Sequence, residues 1–179
     1  MAKLDIKSAF RICPVRQEDW HYLGFSFMGL FFVDLCLPFG LRSSVERFTQ
    51  LSDTLLWIMK HNHKIVNCTH YSDDFFLAGL PSSSQCHKDM QKTIPLFSNL
   101  GVPLAPEKIV GPSTNLTFLG IEIDSHTISL KLPEDKLSTL VAMIQKWSIL
   151  KKCTKRDLLS LIGKLSFASK VIPSSRMFV

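Results

Sequence analysis

The sequence predicts an α+β fold in which a sheet carries its helices on one face. Short apolar runs of strand-like composition alternate irregularly with longer segments of helical periodicity, and this order is typical of an α+β domain. Of the 179 residues, 46% are hydrophobic, so the chain can bury a core of its own. No internal repeat or low-complexity linker interrupts the pattern.

The first hundred residues or so predict hairpins separated by two helices. Met28-Gly29 separates two apolar runs and favours a tight turn between strands. Apolar residues recur at helical spacing after Ser43, and Pro95 predicts a kink in the helix that contains it. The predicted strands are 3–10 at its start, 22–27, 30–35, 65–68 and 75–78, and the predicted helices are 43–60 and 83–100.

The rest of the chain predicts short strands followed by two helices. The strands are 108–110, 116–123 and 128–130, and the helices are 133–147 and 154–169. Pro133 suits the first turn of a helix, where its missing N–H costs nothing. Thr154 and Asp157 have the spacing of a capping box, in which each side chain satisfies a backbone N–H at the start of a helix.

Charge and cysteine content limit the class of protein. The net charge of +6 suits a polyanionic partner, and a basic surface without such a partner is the alternative. Five irregularly spaced cysteines without a Cys-x-x-Cys pair predict free thiols in a reducing, intracellular compartment, either cytoplasm or nucleus. No signal peptide or apolar run of membrane-spanning length is present, so no membrane partner is expected. His61, His63, Cys68 and His70 fit no closed tetrahedral zinc motif.

The sharpest chemical signal is Tyr71-Ser72-Asp73-Asp74, which stands between two strand-like runs. Strand side chains alternate in direction, so adjacent carboxylates at a hairpin turn point different ways. A third carboxylate, Asp5, lies in another strand-like run. Three carboxylates on neighbouring strand ends supply the hard oxygen ligands that Mg²⁺ prefers, and a Mg²⁺ pair can clamp both oxygens of a phosphoryl transfer. A plain surface turn is the alternative, because Ser-Asp-Asp is also good turn chemistry.

These motifs, in this order, resemble those of the reverse transcriptase family. The segment 4–10, Leu-Asp-Ile-Lys-Ser-Ala-Phe, is similar to the first catalytic motif, and 37–41, Leu-Pro-Phe-Gly-Leu, to the template- and nucleotide-binding motif. Residues 71–74 match the Tyr-x-Asp-Asp signature, and 115–124 resembles the strand that leads into the primer grip. The segment 163–170 is similar to that following the palm in DIRS-type retrotransposons, and secondarily in gypsy-like elements.

The resemblance implies a right-hand polymerase palm, an antiparallel sheet with helices on one face, over residues 1–132. It implies a partial helical thumb or connection over 133–179. The fingers subdomain and the ribonuclease H region that accompany such enzymes are expected to be absent from these residues and supplied by a longer polyprotein. The chain then ranks as a fragment of an RNA-directed DNA polymerase.

The resemblance also implies a role for each motif residue. Asp5, Asp73 and Asp74 would be catalytic and bind two Mg²⁺ ions, with Mn²⁺ as an alternative. Phe10 would exclude the 2′-hydroxyl of a ribonucleotide, and Lys108 would lie near the triphosphate, with a solvated surface lysine as its alternative. The implied nucleotide-binding residues are Ile6, Ser8, Ala9, Phe10, Phe39, Gly40 and Lys108. The implied primer and template residues are Tyr71, Ser72, Leu119 and Gly120.

The predicted function is two-metal transfer of dNTPs onto a primer 3′-hydroxyl, with an RNA or DNA template and a DNA primer as partners. One departure from the family is Ser44-Val45-Glu46, which replaces the Ala-Pro and apolar residue that often follow the second motif. Three alternatives stay open: an inactive palm that serves as a nucleic-acid- or protein-binding module or is a relic, a polymerase that uses ribonucleotides, and a metal nuclease built on residues 61–63. Lys151, Lys152, Lys155 and Arg156 form a basic run that suits a duplex backbone or a solvated helix end.

Overall fold

The computed structural model describes residues 1–172. Its contacts divide the chain into two compact units, Met1–Ser113 and a second unit that begins at Thr114. The strands that follow Ser113 therefore belong with the last two helices, and the functional boundary expected after residue 132 stays a prediction. Both units mix helices with antiparallel sheets, so the predicted α+β class is confirmed.

The first unit is built on a three-stranded antiparallel sheet with the strand order β1-β5-β4. A separate hairpin, β2-β3, turns at Met28-Gly29 as predicted. Short 3₁₀ helices cover Ala9–Ile12, Gln17–Leu23 and Pro106–Lys108. The strands are β1 (Ala2–Asp5), β2 (Gly24–Phe27), β3 (Leu30–Val33), β4 (Cys68–Tyr71) and β5 (Asp74–Leu77), and the helices are α1 (Arg42–His61) and α2 (Gln85–Asn99).

One face of the β1-β5-β4 sheet carries the core of this unit. Leu4, Phe75 and Leu77 alternate towards that face and are fully buried. They belong to the same apolar cluster as Phe48 of α1 and Phe97 of α2. Both helices therefore cover the same face of the sheet, as the sequence predicted, and neither helix covers the opposite face.

Helix α1 forms where the sequence predicted it, within one residue at each end. Its buried positions recur three or four residues apart, which places them on one stripe of the helix. Ser44 begins that stripe, and its hydroxyl donates to the carbonyl of Pro38 at 2.8 Å, which fixes how the chain enters the helix. The buried residues are Ser44, Phe48, Ser52, Leu55 and Met59.

Three strand predictions in the first unit differ in part from the structure. The strand expected at 65–68 begins only at Cys68, because Ile65 closes the end of α1 with a 3.0 Å hydrogen bond to the carbonyl of Met59. Of the strand expected at 108–110, only Val110 pairs in β fashion, with Lys3 of β1, whereas Lys108 ends the 3₁₀ helix Pro106–Lys108. The first two residues of the strand expected at 22–27 instead end the 3₁₀ helix Gln17–Leu23.

The second unit contains an antiparallel sheet in the order β6-β7-β8 and two helices. The single strand predicted over 116–123 was wrong, because Leu119 and Gly120 have φ of 49° and 75° and turn the chain back on itself. A Cβ on Gly120 would also meet the Lys136 ammonium at 2.0 Å. The elements are β6 (Asn115–Phe118), β7 (Ile121–Asp124), β8 (Ser129–Lys131), α3 (Glu134–Ile149) and α4 (Lys155–Ala168).

The capping box predicted for the last helix is confirmed. The backbone N–H of Asp157 donates to the Thr154 hydroxyl at 3.1 Å, and the N–H of Thr154 donates back to the Asp157 carboxylate. The Thr154 hydroxyl also donates to the Asp157 carboxylate at 2.6 Å, and this bond, followed by that from the Thr154 N–H, holds the pKa of Asp157 below its usual value. Over residues 1–172, we find no helix whose length and apolar content would let it cross a membrane.

Candidate active site

The register of the main sheet brings two of the predicted carboxylates together. Asp5 at the end of β1 and Asp74 at the start of β5 are direct cross-strand partners. Cross-strand partners project to the same face of a sheet, and their neighbours Leu4 and Phe75 project to the core. Asp5 and Asp74 therefore share the face that the helices leave open.

Asp73 occupies the turn that joins β4 to β5. The strands close at the pair Tyr71 and Asp74, so only Ser72 and Asp73 form the turn, and Ser72 adopts a left-handed φ of 55°. The N–H of Ile6 donates to the Asp73 carbonyl at 3.0 Å, which fixes the turn beside the end of β1. The tight turn thus explains how the third carboxylate stays near the other two.

The three carboxylates act on one another electrostatically. Burial, and then repulsion from Asp5 and Asp73, raises the pKa of Asp74 above its usual value. Lys3 and Lys108 act in the opposite direction, but more weakly. Negative charge is therefore concentrated at this sheet edge, and a cation placed there would be attracted.

Lys108 already places a cation on this edge. Its ammonium donates to both carboxylate oxygens of Asp5 at 3.0 Å, although 103 residues separate the two in sequence. The hydrogen bond and the charge of Asp5 raise the pKa of Lys108. The contact gives Lys108 an ion-pair partner that the sequence did not indicate, while its side chain stays 57% exposed, so its expected place near the triphosphate stays a prediction.

A cavity of about 360 Å³ opens beside this ion pair. It collects residues from the first motif, the second motif and the segment around Lys108, so most of the predicted nucleotide-binding residues meet at one place. Lys7, Ala105 and Glu107 also line it, and sequence reasoning missed all three. The position of Lys7 inside the first motif could have indicated it, whereas only the fold brings 105–107 to β1. The lining residues are Asp5, Ile6, Lys7, Ser8, Ala9, Phe39, Asp73, Ala105, Glu107 and Lys108.

Phe10 and Gly40 are absent from the residues that line this cavity. The Phe10 ring instead packs edge-on against Phe39 at 5.2 Å and Phe48 at 5.5 Å between ring centroids. It thereby joins the exposed ring of Phe39, which does line the cavity, to the buried core. Gly40 has a φ of 88°, a conformation that favours glycine, and the space around its α-carbon is open.

The primer and template residues fall in both units. Tyr71 is exposed and lies directly across from Asp74, and Ser72 is the left-handed residue of the motif turn. Leu119 and Gly120 form the β6-β7 turn in the second unit. Their predicted contact with nucleic acid stays a prediction.

His70 supports the carboxylate hairpin from the core side, and sequence reasoning did not assign it this role. Its Nε2 atom lies 3.0 Å from the Asp53 carboxylate on α1, and its ring stacks on Phe75 with 5.2 Å between centroids. The contact ties β4 to α1 directly behind the motif. His70 directly precedes Tyr71, and that adjacency to the motif was the only available signal.

The donor set suits a divalent cation in chemistry and charge, because three carboxylates supply hard oxygens at one sheet edge. The arrangement is not a closed metal cage: in residues 1–172, no three His, Cys, Asp or Glu side chains converge as metal ligands. The Lys108 ammonium on Asp5 is a stand-in cation at this edge. The residue types suit Mg²⁺, but the described carboxylates are not assembled as its ligands and Lys108 neutralises Asp5, so a metal site at this edge stays a prediction.

Comparison with known proteins adds a family to this geometry. A sequence model described as "Reverse transcriptase (RNA-dependent DNA polymerase)" matches residues 1–123. Among curated proteins, the Transposon Tf2-3 and Tf2-4 polyproteins of Schizosaccharomyces pombe (strain 972 / ATCC 24843) are 22% identical over 173 residues. The match covers 97% of this chain but only 12% of each polyprotein.

Solved structures of the foamy viral protease-reverse transcriptase share the fold. The complex with dsDNA has a TM-score of 0.75 and 22% identity, and the match covers 93% of this chain and 32% of the viral chain. The complex with an RNA/DNA hybrid has a TM-score of 0.76 and 21% identity, and covers 98% of this chain and 23% of the viral chain. At this identity the likeness establishes the fold alone.

Proposed function

This chain belongs to the reverse transcriptase (RNA-dependent DNA polymerase) family, and we propose that it is the catalytic part of a retrotransposon RNA-directed DNA polymerase. The pairing of Asp5 with Asp74, beside Asp73 in the adjoining turn, is the observation that carries the proposal. Because the chain spans 12% of the polyproteins that it resembles, the activity of the whole enzyme is part of the proposal.

Each side chain of the site has a proposed part in nucleotidyl transfer. Asp5 and Asp73 would hold Mg²⁺, and Asp74, across the sheet from Asp5, would support them. Bound Mg²⁺ would supply Lewis-acid stabilisation of the attacking and leaving oxygens. Burial, and then repulsion from Asp5 and Asp73, raises the pKa of Asp74, and this favours a supporting role for it in the proposal.

The cavity beside the carboxylates is the proposed place for the nucleotide. Ser8 and Ala9 line it at the first turn of a 3₁₀ helix, where the backbone would face phosphate oxygens. The exposed Phe39 ring would lie against the base pair being formed, and Phe10 braces that ring from below. We propose that Phe10 acts on the sugar through this bracing, and that Lys108 neutralises the polyphosphate.

Partners follow from the same proposal. The template is RNA or DNA, the primer is DNA, and the substrates are dNTPs. The similarity to Tf2 polyproteins supports a gypsy-like retrotransposon as the source. The DIRS-type resemblance of 163–170 is a narrower proposal. An intracellular site of action, cytoplasm or nucleus, belongs to the proposal as well.

A second candidate is an inactive palm that binds nucleic acid or protein. Two observations favour it: Asp5 is neutralised by Lys108, and the described residues hold no assembled three-ligand site. Such a module would bind a primer–template without extending it. The two candidates therefore differ in a single measurable property.

Primer extension by the purified 179-residue chain tests the proposal. The assay uses an RNA template, a DNA primer, dNTPs and Mg²⁺, with Asp73→Asn as the test variant and Glu18→Gln, an exposed carboxylate in the first unit, as the control. We expect Asp73→Asn to lower extension more than about a hundredfold. Mutation of a residue that only hydrogen-bonds to a metal ligand already lowers metal affinity or activity by about 10–100-fold, and a ligand itself should matter more. Glu18→Gln should extend normally.

The remaining outcomes separate the candidates. Extension only after an upstream fingers segment is joined to the chain would identify an incomplete enzyme. Primer–template binding without extension in every form of the protein would support the inactive binding module and overturn the proposed catalysis.

A further inference from the structure

We propose that Lys108 serves as the counter-ion of Asp5 in the metal-free protein. When a divalent cation binds Asp5, it displaces the Lys108 ammonium. The inference rests on the proposed polymerase function. Its basis is that the Lys108 ammonium contacts both oxygens of Asp5 at 3.0 Å, and so takes the positions that a metal ion would need.

Backbone hydrogen bonds bring the lysine to this position. The segment 104–110 runs along the edge of β1 that β5 does not occupy. Within it, the N–H of Ala105 donates to the Asp5 carbonyl at 2.9 Å, and the N–H of Lys3 donates to the Val110 carbonyl at 2.8 Å. The 3₁₀ turn Pro106–Lys108 lies between these two anchors. The backbone pairing therefore holds the segment that bears Lys108 beside Asp5.

The two partners differ in freedom. The Asp5 side chain is only 12% exposed, whereas the Lys108 side chain is 57% exposed. A long, exposed lysine chain changes rotamer at little cost, while the buried carboxylate stays fixed at the end of its strand. Lys108 is thus the partner that moves when the pair separates.

The surrounding charges give the exchange a direction. In the pair, Lys108 offsets one carboxylate of a cluster whose members repel one another, since Asp5 and Asp73 both disfavour the charged form of Asp74. The released ammonium would face the cavity that Ser8, Ala9 and Phe39 line. A polyphosphate is proposed to bind in that cavity, so the Lys108 ammonium would leave Asp5 to the metal ion and face the phosphate oxygens instead.

Manganese binding to the nucleotide-free protein tests the exchange without relying on catalysis. Free Mn²⁺ is measured by electron paramagnetic resonance while wild type, Lys108→Met, Lys108→Arg and Lys7→Met are titrated. Lys7 is exposed and lines the same cavity, so Lys7→Met removes an equal charge without touching Asp5. Circular dichroism of each variant verifies that it is folded.

We expect Lys108→Met to bind Mn²⁺ about two- to fivefold more tightly than Lys7→Met, the range that a partly exposed ion pair contributes. Lys108→Arg keeps the charge and offers a planar fork to both carboxylate oxygens, so its affinity should equal or fall below that of wild type. Equal affinities for Lys108→Met and Lys7→Met, or tighter binding by Lys108→Arg, would overturn the exchange alone. A wild-type affinity that Asp5→Asn and Asp73→Asn leave unchanged would overturn both the exchange and the proposed metal site.

Discussion

Replacing Asp74 with asparagine should stabilise the metal-free protein. The variant removes one charge from a cluster in which burial and the neighbouring Asp5 and Asp73 already raise the Asp74 pKa. Asparagine keeps nearly the same shape, so the strand pairing between β1 and β5 has no steric reason to change. Repulsion between these carboxylates lowers the stability of the metal-free protein, and this variant measures that loss.

The size of the effect follows from the sheet register. Cross-strand partners such as Asp5 and Asp74 have Cβ atoms about 5 Å apart. Two like charges roughly 6 Å apart repel by about 0.7–1.4 kcal/mol at effective dielectric constants of about 40–80. Since Lys108 offsets part of the Asp5 charge, we expect about 0.5–1 kcal/mol. At about 2–4 °C per kcal/mol for a chain of this size, Tm should rise by about 1–4 °C.

The pH dependence identifies the cause. A raised carboxyl pKa means that the folded state holds the proton more tightly than the unfolded state. The stability of wild type therefore falls as pH rises from the usual value of 3.8 through the raised pKa of Asp74. The advantage of Asp74→Asn should be absent below pH 3.8, grow through this window and be complete at neutral pH.

Thermal unfolding in EDTA at several pH values measures the difference. Glu107→Gln is the matched control, because Glu107 lines the same cavity from an exposed position and does not contribute to the Asp74 pKa. Its Tm should follow that of wild type. A Tm for Asp74→Asn that is lower than wild type at pH 7, or raised equally at all pH values, would refute the electrostatic reasoning.

Three further outcomes are expected. Phe10→Ala should lower the free energy of unfolding, measured in urea, by about 2 kcal/mol, because it removes the ring contacts of a half-buried side chain. The same variant should raise the incorporation of ribonucleotides relative to dNTPs. Lost stability with an unchanged incorporation ratio would make Phe10 a packing residue only. Thr154→Ala should cost about 1 kcal/mol by circular dichroism, while Thr154→Ser keeps the cap; equal losses would deny the capping box a role. Ile128→Asn should raise the free energy of unfolding by about 0.5–1 kcal/mol and Ile128→Ala should not, because φ is 51° at this exposed position and asparagine tolerates that conformation. Equal urea midpoints for the two variants would count against backbone strain at this position.

Local signals in the sequence were sufficient for several elements of the fold. Helix α1 follows from the spacing of Phe48, Leu55 and their neighbours, and the last helix from the reciprocal cap of Thr154 and Asp157. The hairpin at Met28-Gly29 follows from its turn residues. In each case the determining interactions lie within a few residues of one another, where periodicity and turn chemistry operate.

Elements whose form depends on distant partners were predicted less well. The strand expected at 116–123 is a hairpin, because a leucine adopts the left-handed conformation before Gly120, which the apolar run conceals. The segment 108–110 was expected to be a strand, but Lys108 ends a 3₁₀ helix and only Val110 pairs with β1. The clamp between His70 and Asp53 bridges a strand and a helix, so no local pattern could reveal it.

The sequence alone indicated the family and the α+β class and singled out the three candidate carboxylates, because motifs and periodicity carry those signals within a few residues. Only the tertiary structure decided that Asp5 and Asp74 are partners on adjacent strands, and that Lys108, 103 residues from Asp5 in sequence, neutralises Asp5. It also decided that Phe10 packs beneath Phe39, away from the cavity lining. The physical reason is that strand register and backbone pairing join segments far apart in sequence, and charges and rings interact through the short distances that this pairing creates.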